Sequence, residues 1–290
     1  MFWLVVRKCV KIIALLFLVG SLAYIMLIIV VRPSNNRNWN IDQKILPEIT
    51  RDGNEVTIKK VRNFSYTTTS DFTPAYYDDT YDISKLKSAY FVVEPFSGNF
   101  NAAHTFVTFE FDESNRITGN TKSKFLSVSV EIRKEKGESF SAVKGLLRQY
   151  ELMIVIADEA DVIKLRTNYR KDKVYLYPII APREKIVKLF NGMLERAKQL
   201  QKHPEFYNTL TNTCTTNIVD QVNAIASEDK KIPFDFRVLM PANSDALAQQ
   251  MGFIDNSLSL EQVREKYYIT EKALACPEAE GIDFSLCIRQ

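Results

Sequence analysis

The chain has 290 residues with 38 basic and 35 acidic side chains, enough for one large domain or two small ones. The first 32 positions carry four basic residues and no acid, so the remaining 34 basic residues are balanced by 35 acids. Phosphate binding needs clustered positive charge, and this neutral remainder therefore argues against a nucleic-acid partner.

An uncharged apolar run, IIALLFLVGSLAYIMLIIVV at 12–31, is long enough to cross a bilayer core of about 30 Å. Arg7, Lys8 and Lys11 precede this run, so the positive-inside rule puts residues 1–11 in the cytoplasm. A cleaved signal peptide is the alternative. The apolar run is longer than a usual signal core, and the following VVRPSNNR lacks a small-x-small cleavage site. We therefore expect a transmembrane anchor with the remainder of the chain outside.

The first elements after the anchor are predicted to be extended. Residues 32–60 are interpreted as a polar linker and a first hairpin around Asp52-Gly53, and residues 61–87 as extended chain laid over the domain. Runs rich in β-branched and aromatic residues predict the strands that follow. They lie at 89–94, 103–111, 124–133, 152–157, 161–166 and 173–178, and a short helix is predicted at 139–150.

Helical periodicity takes over in the second half of the chain. Apolar residues at helical spacing predict helices at 184–202, after Cys214, at 244–252 and at 258–267. Strands followed by helices are typical of an α+β fold, here an antiparallel sheet with helices grouped after it. The segment 232–290 is predicted to be a C-terminal helical extension of the same domain.

Three cysteines are predicted to lie outside the membrane, where disulfides can form. Cys276 and Cys287 are close in sequence and are expected to pair, whereas Cys9 falls on the cytoplasmic side. Cys214 is then left without a partner. An unpaired cysteine in an exported domain is either a reactive thiol or a buried structural one.

The residues around Cys214, TNTCTTNIVDQV, favour the reactive interpretation. Asn212 and Thr213 are good capping residues, which places Cys214 in the first turn of a helix. Unpaired N–H groups at a helix N-terminus favour a thiolate. The same groups, around Thr213 and Thr215, can stabilise the oxyanion that forms when a thiolate attacks a carbonyl.

A thiol nucleophile usually needs a base, and the chain has two histidines. His203 follows the long predicted helix, where the negative end of the helix dipole explains a histidine without any catalytic role. His104 opens the predicted strand 103–111, where it is either an ordinary strand-end histidine or the base for Cys214.

Antiparallel pairing of the strands 103–111 and 124–133 would place Glu131 level with His104. Ser129 and Glu131 alternate away from the apolar positions, and we expect them to line a cleft together with Asn212. A carboxylate beside an imidazole would hold its tautomer. The alternative is a solvated face on which Glu131 forms a salt bridge with Arg133.

Several segments in one order resemble the periplasmic domain of Lnb-type lipoprotein N-acyltransferases, from about Trp39 to about Tyr268. They are VRNFSYTTTSDFTPAYYDDTYDISKL, AAHTFVTFEF, LSVSVEIRKEKGESFSAVKGLLRQYEL, DVIKLRTNYRKDKVYLYP and PEFYNTLTNTCTTNIVD. The resemblance implies a papain-like thiol domain of circularly permuted NlpC type at 61–231. It also implies a Cys214–His104 catalytic pair and a location in the bacterial inner membrane with the domain facing the periplasm.

The function implied is acyl transfer from a lipid of the bilayer, through a thioester on Cys214, to the amine of a lipoprotein or another acyl acceptor. The alternatives are a thiol hydrolase acting on cell-wall peptide and a non-catalytic envelope scaffold that only binds. We expect no cofactor and no metal, because two distant histidines and scattered carboxylates show no zinc-type spacing.

Overall fold

The computed structural model describes residues 2–96, 101–113, 122–279 and 283–290. Its strands are β1 (Glu48–Asp52), β2 (Glu55–Arg62), β3 (Ser65–Tyr66), β4 (Phe72–Thr73), β5 (Tyr76–Asp82), β6 (Leu86–Pro95), β7 (Ala103–Asp112), β8 (Ser123–Arg133), β9 (Glu151–Ala157) and β10 (Tyr175–Pro178). Its helices are α1 (Phe2–Val30), α2 (Ala142–Leu146), α3 (Glu159–Lys164), α4 (Arg183–Lys202), α5 (Cys214–Ile225), α6 (Phe236–Leu239), α7 (Ser244–Gln250), α8 (Leu260–Tyr267), α9 (Thr270–Ala275) and α10 (Phe284–Cys287).

The N-terminal apolar run is helical. Helix α1 begins at Phe2, ahead of the predicted span, and buries none of its residues against the rest of the protein. In the described part of the chain it is the one helix long and apolar enough to cross a membrane. An apolar helix with no buried residue is expected when lipid is its solvent.

The sheet runs in the order β1-β2-β9-β8-β7-β6-β10, and β5 also pairs with β2. Its strand pairs are antiparallel except that β2 meets β9 in parallel at Arg62↔Ala157. The predicted antiparallel sheet is therefore mixed, within an α+β fold. The hairpin around Gly53 forms as predicted, and its second strand joins the central sheet. The circularly permuted papain-like arrangement stays a prediction.

The sheet is covered on both sides, and the alternation of side chains along the strands separates the two. The side that carries Val107 and Val128 packs against α4 and α5 and is called the α5 face. The opposite side, which carries Phe106 and Val155, packs against α3, α9 and α10. It is called the Arg166 face, after the arginine that lies over Phe106.

The predicted strand at 161–166 is wrong. Residues Glu159–Lys164 form α3, and the chain continues as a π-helical segment, Leu165–Tyr169. The Asp158 side chain accepts a hydrogen bond from the Ala160 N–H and caps the helix. Val162 and Ile163 are buried against the Arg166 face. A short apolar run fits a strand and a buried helix equally well, and here the cap and the packing select the helix.

The segment predicted as extended chain at 61–87 is extended, but it belongs to sheets. Strands β3 and β4 pair with each other, and β5 pairs with β2 across a bulge between Ile58 and Val61. The long helix predicted at 184–202 is confirmed as α4. The strand predicted at 124–133 is confirmed as β8.

The C-terminal helices pack on the domain. Ile269 and Ala273 bury against the Arg166 face, and Val263 belongs to the core of the α5 face. The predicted disulfide joins Cys276 to Cys287, and Cys9 and Cys214 are free.

Candidate functional site

Cys214 is the first residue of α5, as the capping residues predicted. Thr213 is the N-cap, and its side chain accepts a hydrogen bond from the Thr216 N–H. The Thr216 side chain in turn accepts from the Thr213 N–H, 2.7 Å away, which completes a capping box. The start of the helix, and with it the cysteine, is therefore held in place by local bonds.

The turn before α5 is held by a network that reaches α4. Arg196 binds Glu205 with two guanidinium nitrogens, and its Nε donates to Asn217 Oδ1 at 3.0 Å. Asn212 donates to Glu205 and to the Phe206 carbonyl, and accepts from Asn217. Asn212 therefore holds this turn in place, and its predicted cleft-lining role stays a prediction.

The Cys214 side chain is half-buried and packs against the α5 face. Its sulfur lies 3.7 Å from the Thr215 hydroxyl, which lies 2.9 Å from the hydroxyl of Thr105 on β7. Burial, and the nearby Cys214 sulfur, raise the pKa of Tyr207. The Tyr207 phenol therefore keeps its proton beside the thiol.

The oxyanion donors predicted around Cys214 divide into two groups. The Thr213 N–H is taken by the capping box and cannot donate to a substrate. Among the described residues, the N–H groups of Cys214 and Thr215 donate to no acceptor. These two groups carry the partial positive charge of the helix end.

His104 belongs to a hydrogen-bonded chain on the Arg166 face. Its Nε2 lies 2.8 Å from Ser129 Oγ, and Ser129 donates to Glu131 at 3.0 Å. The single hydroxyl proton of Ser129 is used on the carboxylate, so Nε2–H of His104 is the donor to Ser129. Glu131 lies 3.8 Å from His104, level with it as the strand register predicted.

The chain of polar groups ends in buried arginine. Arg166, from the π-helical segment, binds Glu94 at 2.5 Å and Glu131 at 3.4 Å, and Arg170 also reaches Glu94. Ser129 and Arg166 are almost fully buried. The predicted cleft lined by Ser129 and Glu131 is therefore wrong: α3 and the π-helical segment cover these residues. The solvated-face alternative is wrong as well, because Arg133 is buried against Trp39.

These surroundings set the charge of His104 and Glu131. Burial, together with the positive charge of Arg166, lowers the pKa of His104 to about 3 against the opposing effect of Glu131. Burial is the largest single effect and acts to raise the pKa of Glu131, but Arg166 and the smaller effects of other neighbours, among them Arg62 and the Ser129 hydrogen bond, together outweigh it and hold this pKa at about 2. At neutral pH the ring is neutral and the carboxylate is charged. A general base works best with a pKa near the working pH, which His104 does not have here.

The structure does not bring the predicted pair Cys214 and His104 together. His104 stacks on Phe106, with ring centroids 5.6 Å apart, on the Arg166 face, whereas Cys214 packs on the α5 face. Among the described residues, the sulfur has one hydrogen-bonding contact, with Thr215. The two residues are connected through their neighbours in sequence. Thr105 follows His104 on β7, and its hydroxyl is hydrogen-bonded to that of Thr215, which follows Cys214 on α5.

An apolar cavity of about 310 Å³ lies along α5. Thr215, next to the cysteine, lines it, and so do Ile225 and Ala226 at the other end of α5. The remaining walls come from α4, α7 and the sheet, through Ile186, Leu189, Leu247, Phe91 and Val107 among others. The cavity therefore extends along the helix that begins with Cys214.

His203 is the C-cap of α4 and is exposed, as the helix-end interpretation expected. Sequence reasoning missed Arg166, Glu94 and Tyr207. Arg166 lay in the segment mistaken for a strand, and a single tyrosine or glutamate in a strand or loop carries no signal of its own. In the described part of the chain, no group of three or more His, Cys, Asp or Glu side chains is arranged to hold a metal.

A family model described as the Lnb N-terminal periplasmic domain matches residues 72–242. The matched segment contains β5 to α6 and both Cys214 and His104. No curated protein and no solved structure matches the chain. The family match agrees with the resemblance found in the sequence segments around these two residues.

Proposed function

Since the chain belongs to the family of Lnb N-terminal periplasmic domains, we propose that it is a thiol acyltransferase of the lipoprotein N-acyltransferase type. The family and the apolar helix α1 describe a membrane-associated protein with a periplasmic domain. The proposal adds the inner membrane as its location, Cys214 as the nucleophile, a membrane lipid as acyl donor and a lipoprotein amine as acceptor.

The observation that supports the proposal is the position of Cys214. It is a free, half-buried cysteine at the first residue of a capped helix of 12 residues. The two uncommitted N–H groups of Cys214 and Thr215 lie at the same helix end. A structural cysteine needs neither the helix N-terminus nor free N–H donors. The helix N-terminus stabilises a nucleophilic thiolate, and the two N–H groups can donate to the oxyanion that forms when the thiolate attacks a carbonyl.

The proposed reaction has two halves. The thiol loses its proton to solvent, and the thiolate attacks the carbonyl carbon of a lipid acyl ester to form a C–S bond. The ester C–O bond breaks, and the departing alkoxide takes a proton from water. The acceptor amine then attacks the thioester and forms an amide, the C–S bond breaks, the amine proton leaves to solvent, and the thiolate is restored.

His104 is proposed to act as a positioning residue. The ring and its partner Ser129 hold the start of β7, and Thr105 on that strand bonds Thr215 beside the nucleophile. Neutral His104 on the opposite face of the sheet is suited to holding this strand. It is poorly suited to taking the thiol proton, because its pKa of about 3 lies far below neutral pH.

The apolar cavity along α5 is proposed to receive the acyl chain. Its lining is apolar apart from a few residues, and one of these is Thr215, 3.7 Å from the sulfur. Transfer of an alkyl chain from lipid to such a cavity is nearly neutral in hydrophobic free energy, because both surroundings exclude water. The anchor α1 would keep the site close to its lipid substrates and raise their effective concentration.

The test uses the full chain in liposomes with a diacylated lipopeptide whose N-terminal amine is free. Mass spectrometry should detect the N-acylated lipopeptide and an acyl adduct on Cys214 that hydroxylamine removes. Cys214→Ser should lower the rate of transfer by at least about 1000-fold, since the attacking thiolate is lost. Circular dichroism should show that this variant is folded.

The matched control is Cys9→Ser, which removes the other free cysteine and should leave transfer unchanged. Fatty acid released without N-acylation, and dependent on Cys214, would replace acyl transfer by hydrolysis. Full transfer by Cys214→Ser would overturn the assignment of the nucleophile.

A further inference from the structure

The periplasmic domain is attached to the last turns of α1 by side-chain contacts. The hydroxyl of Tyr24 donates to the carbonyl of Leu146 in α2, at 3.3 Å. Arg148, just after α2, donates to the carbonyls of Ile28 and Val31 at 3.2 and 3.5 Å. The segment around α2 therefore lies beside the outer end of the apolar helix and does not extend away from it.

The depth of this contact follows from helix geometry. Tyr24 precedes the last residue of α1, Val30, by six positions, which corresponds to about 9 Å along the axis. The outer limit is set by Arg148, which donates to the carbonyls of Ile28 and of Val31, the last residue of the uncharged run. The segment around α2 therefore lies between the outer end of α1 and about 9 Å below it, the depth to which interfacial helices bury their apolar faces.

Four large apolar side chains are exposed in the same part of the surface. They are Phe140, Val143, Leu147 and Leu210, exposed to 48%, 64%, 48% and 52%. Leu210 belongs to a turn that packs on α2, since the Thr209 hydroxyl donates to the Ala142 carbonyl at 2.7 Å. We call these four residues the α2 patch.

The two parts of the α2 patch are held together closely. At Gly145, in the middle of α2, an added Cβ would lie 2.9 Å from Cε1 of Tyr207, closer than a side chain allows. The Phe140 and Tyr207 rings also contact each other, with centroids 6.4 Å apart. The α2 patch is therefore a defined surface, in which α2 and the turn 208–212 are packed against each other.

We propose that the α2 patch is seated in the outer interfacial layer of the bilayer that α1 spans. The argument is continuity with α1: the same segment that exposes the four apolar side chains is bonded to the helix at interfacial depth. Apolar side chains at this depth gain the free energy of burial in the headgroup and acyl boundary. Arg148, bonded to the carbonyls of Ile28 and Val31, adds positive charge near the lipid headgroups.

This seating would bring Cys214 to the membrane surface. Leu210 precedes Cys214 by four residues, so their Cα atoms are at most about 14 Å apart even in a fully extended chain. The inference depends on the contacts with α1 and holds whether or not Cys214 transfers acyl groups. If the transfer proposal is also correct, a lipid ester can reach the thiol with little movement out of the bilayer.

The test places a fluorophore on the full-length protein in phosphatidylcholine liposomes. Val143→Cys, in a chain that also carries Cys9→Ser and Cys214→Ser, is labelled with bimane while the disulfide stays intact. A nitroxide near the carbonyl end of the lipid acyl chains should quench this label at least about threefold more than a matched control, because nitroxides quench only at short range.

The matched control is Glu184→Cys in the same background. Glu184 lies in the first turn of α4, its side chain is 73% exposed, and it does not line the cavity along α5. Leu200, about 24 Å farther along this helix, is bonded to Asn35 near the end of α1. Aqueous iodide should quench the Glu184 label more than the Val143 label. Equal lipid quenching at the two positions would overturn the proposal.

Discussion

The two faces of the central sheet are both buried but differ in what covers them. The α5 face packs aliphatic and aromatic side chains of α4 and α5, with Cys214 at its margin and a cavity along α5. The Arg166 face buries ion pairs: Arg62 with Asp161, Arg166 with Glu94, and Arg289 with Glu159.

Strand β7 contributes side chains to both faces of the sheet. Along β7, Thr105 and Val107 point to the α5 face, and His104 and Phe106 point to the Arg166 face. Apolar packing tolerates small changes in volume, because neighbouring side chains can partly relax. A buried ion pair is intolerant of the loss of one partner, because the remaining charge cannot return to water. The two faces should therefore respond differently to conservative substitutions.

The largest effect is expected for Asp161→Asn on the Arg166 face. Asp161 accepts hydrogen bonds from two nitrogens of Arg62, from the Phe64 N–H and from the Tyr66 hydroxyl, at 2.8 to 2.9 Å. Removing its charge at nearly constant volume leaves the Arg62 guanidinium buried without a counter-charge. The free energy of unfolding, measured by urea titration, should fall by about 3–5 kcal/mol.

The comparison on the other face is Ile154→Val, which removes one methylene group from the core of the α5 face. This variant should lose about 1 kcal/mol in the same titration. If Asp161→Asn lowers the free energy of unfolding by no more than Ile154→Val does, the two faces do not differ in their sensitivity to conservative substitution.

A smaller effect is expected when the cavity is filled. Val219 lines the cavity from α5, and Val219→Trp should occupy part of the space proposed for the acyl chain. Transfer from long-chain donors should fall about tenfold relative to short-chain donors, because the pocket then discriminates by chain volume. The measurement is the ratio of transfer rates for the two donors. Val219→Ala is the matched control, and an unchanged ratio in Val219→Trp would exclude the cavity as the acyl site.

The smallest effect concerns the pH dependence of stability. Burial lowers the pKa of His104 from 6.5 to about 3, so the unfolded chain binds a proton at higher pH than the folded chain does. Stability contributed by neutral His104 is therefore complete above pH 6.5 and is lost as the pH falls toward 3. Between pH 6 and 5 the wild-type free energy of unfolding should drop by about 1 kcal/mol because of this residue.

His104→Gln keeps a hydrogen-bond donor near Ser129 but cannot titrate. Its free energy of unfolding should therefore lack the drop of about 1 kcal/mol between pH 6 and 5 that His104 causes in the wild type. Glu131, whose pKa is held at about 2, adds a loss of the same sign only at more acidic pH, below about 4.5. If the free energy of unfolding changes equally with pH in wild type and His104→Gln between pH 6 and 5, the ring titrates normally. His104 would then be available as a base.

Much of the local structure could be predicted from the sequence. The capping residues before Cys214, the apolar spacing of α4 and the alternation in β8 each depend on neighbours a few residues away. The Cys276–Cys287 disulfide followed from short separation and the expected compartment. The alternation of Ser129 and Glu131 also correctly predicted a shared face, but that face was wrongly interpreted as an open cleft.

The sequence by itself determined the apolar helix, the periodicity of the main elements, the family and the position of Cys214 at a helix start. Only the tertiary structure decided that His104 and Cys214 lie on opposite faces of one sheet. Alternation along a strand divides its side chains into two groups, but the elements that cover each group come from distant parts of the chain. Arg166, which determines the charge of His104, comes from a segment more than sixty residues away.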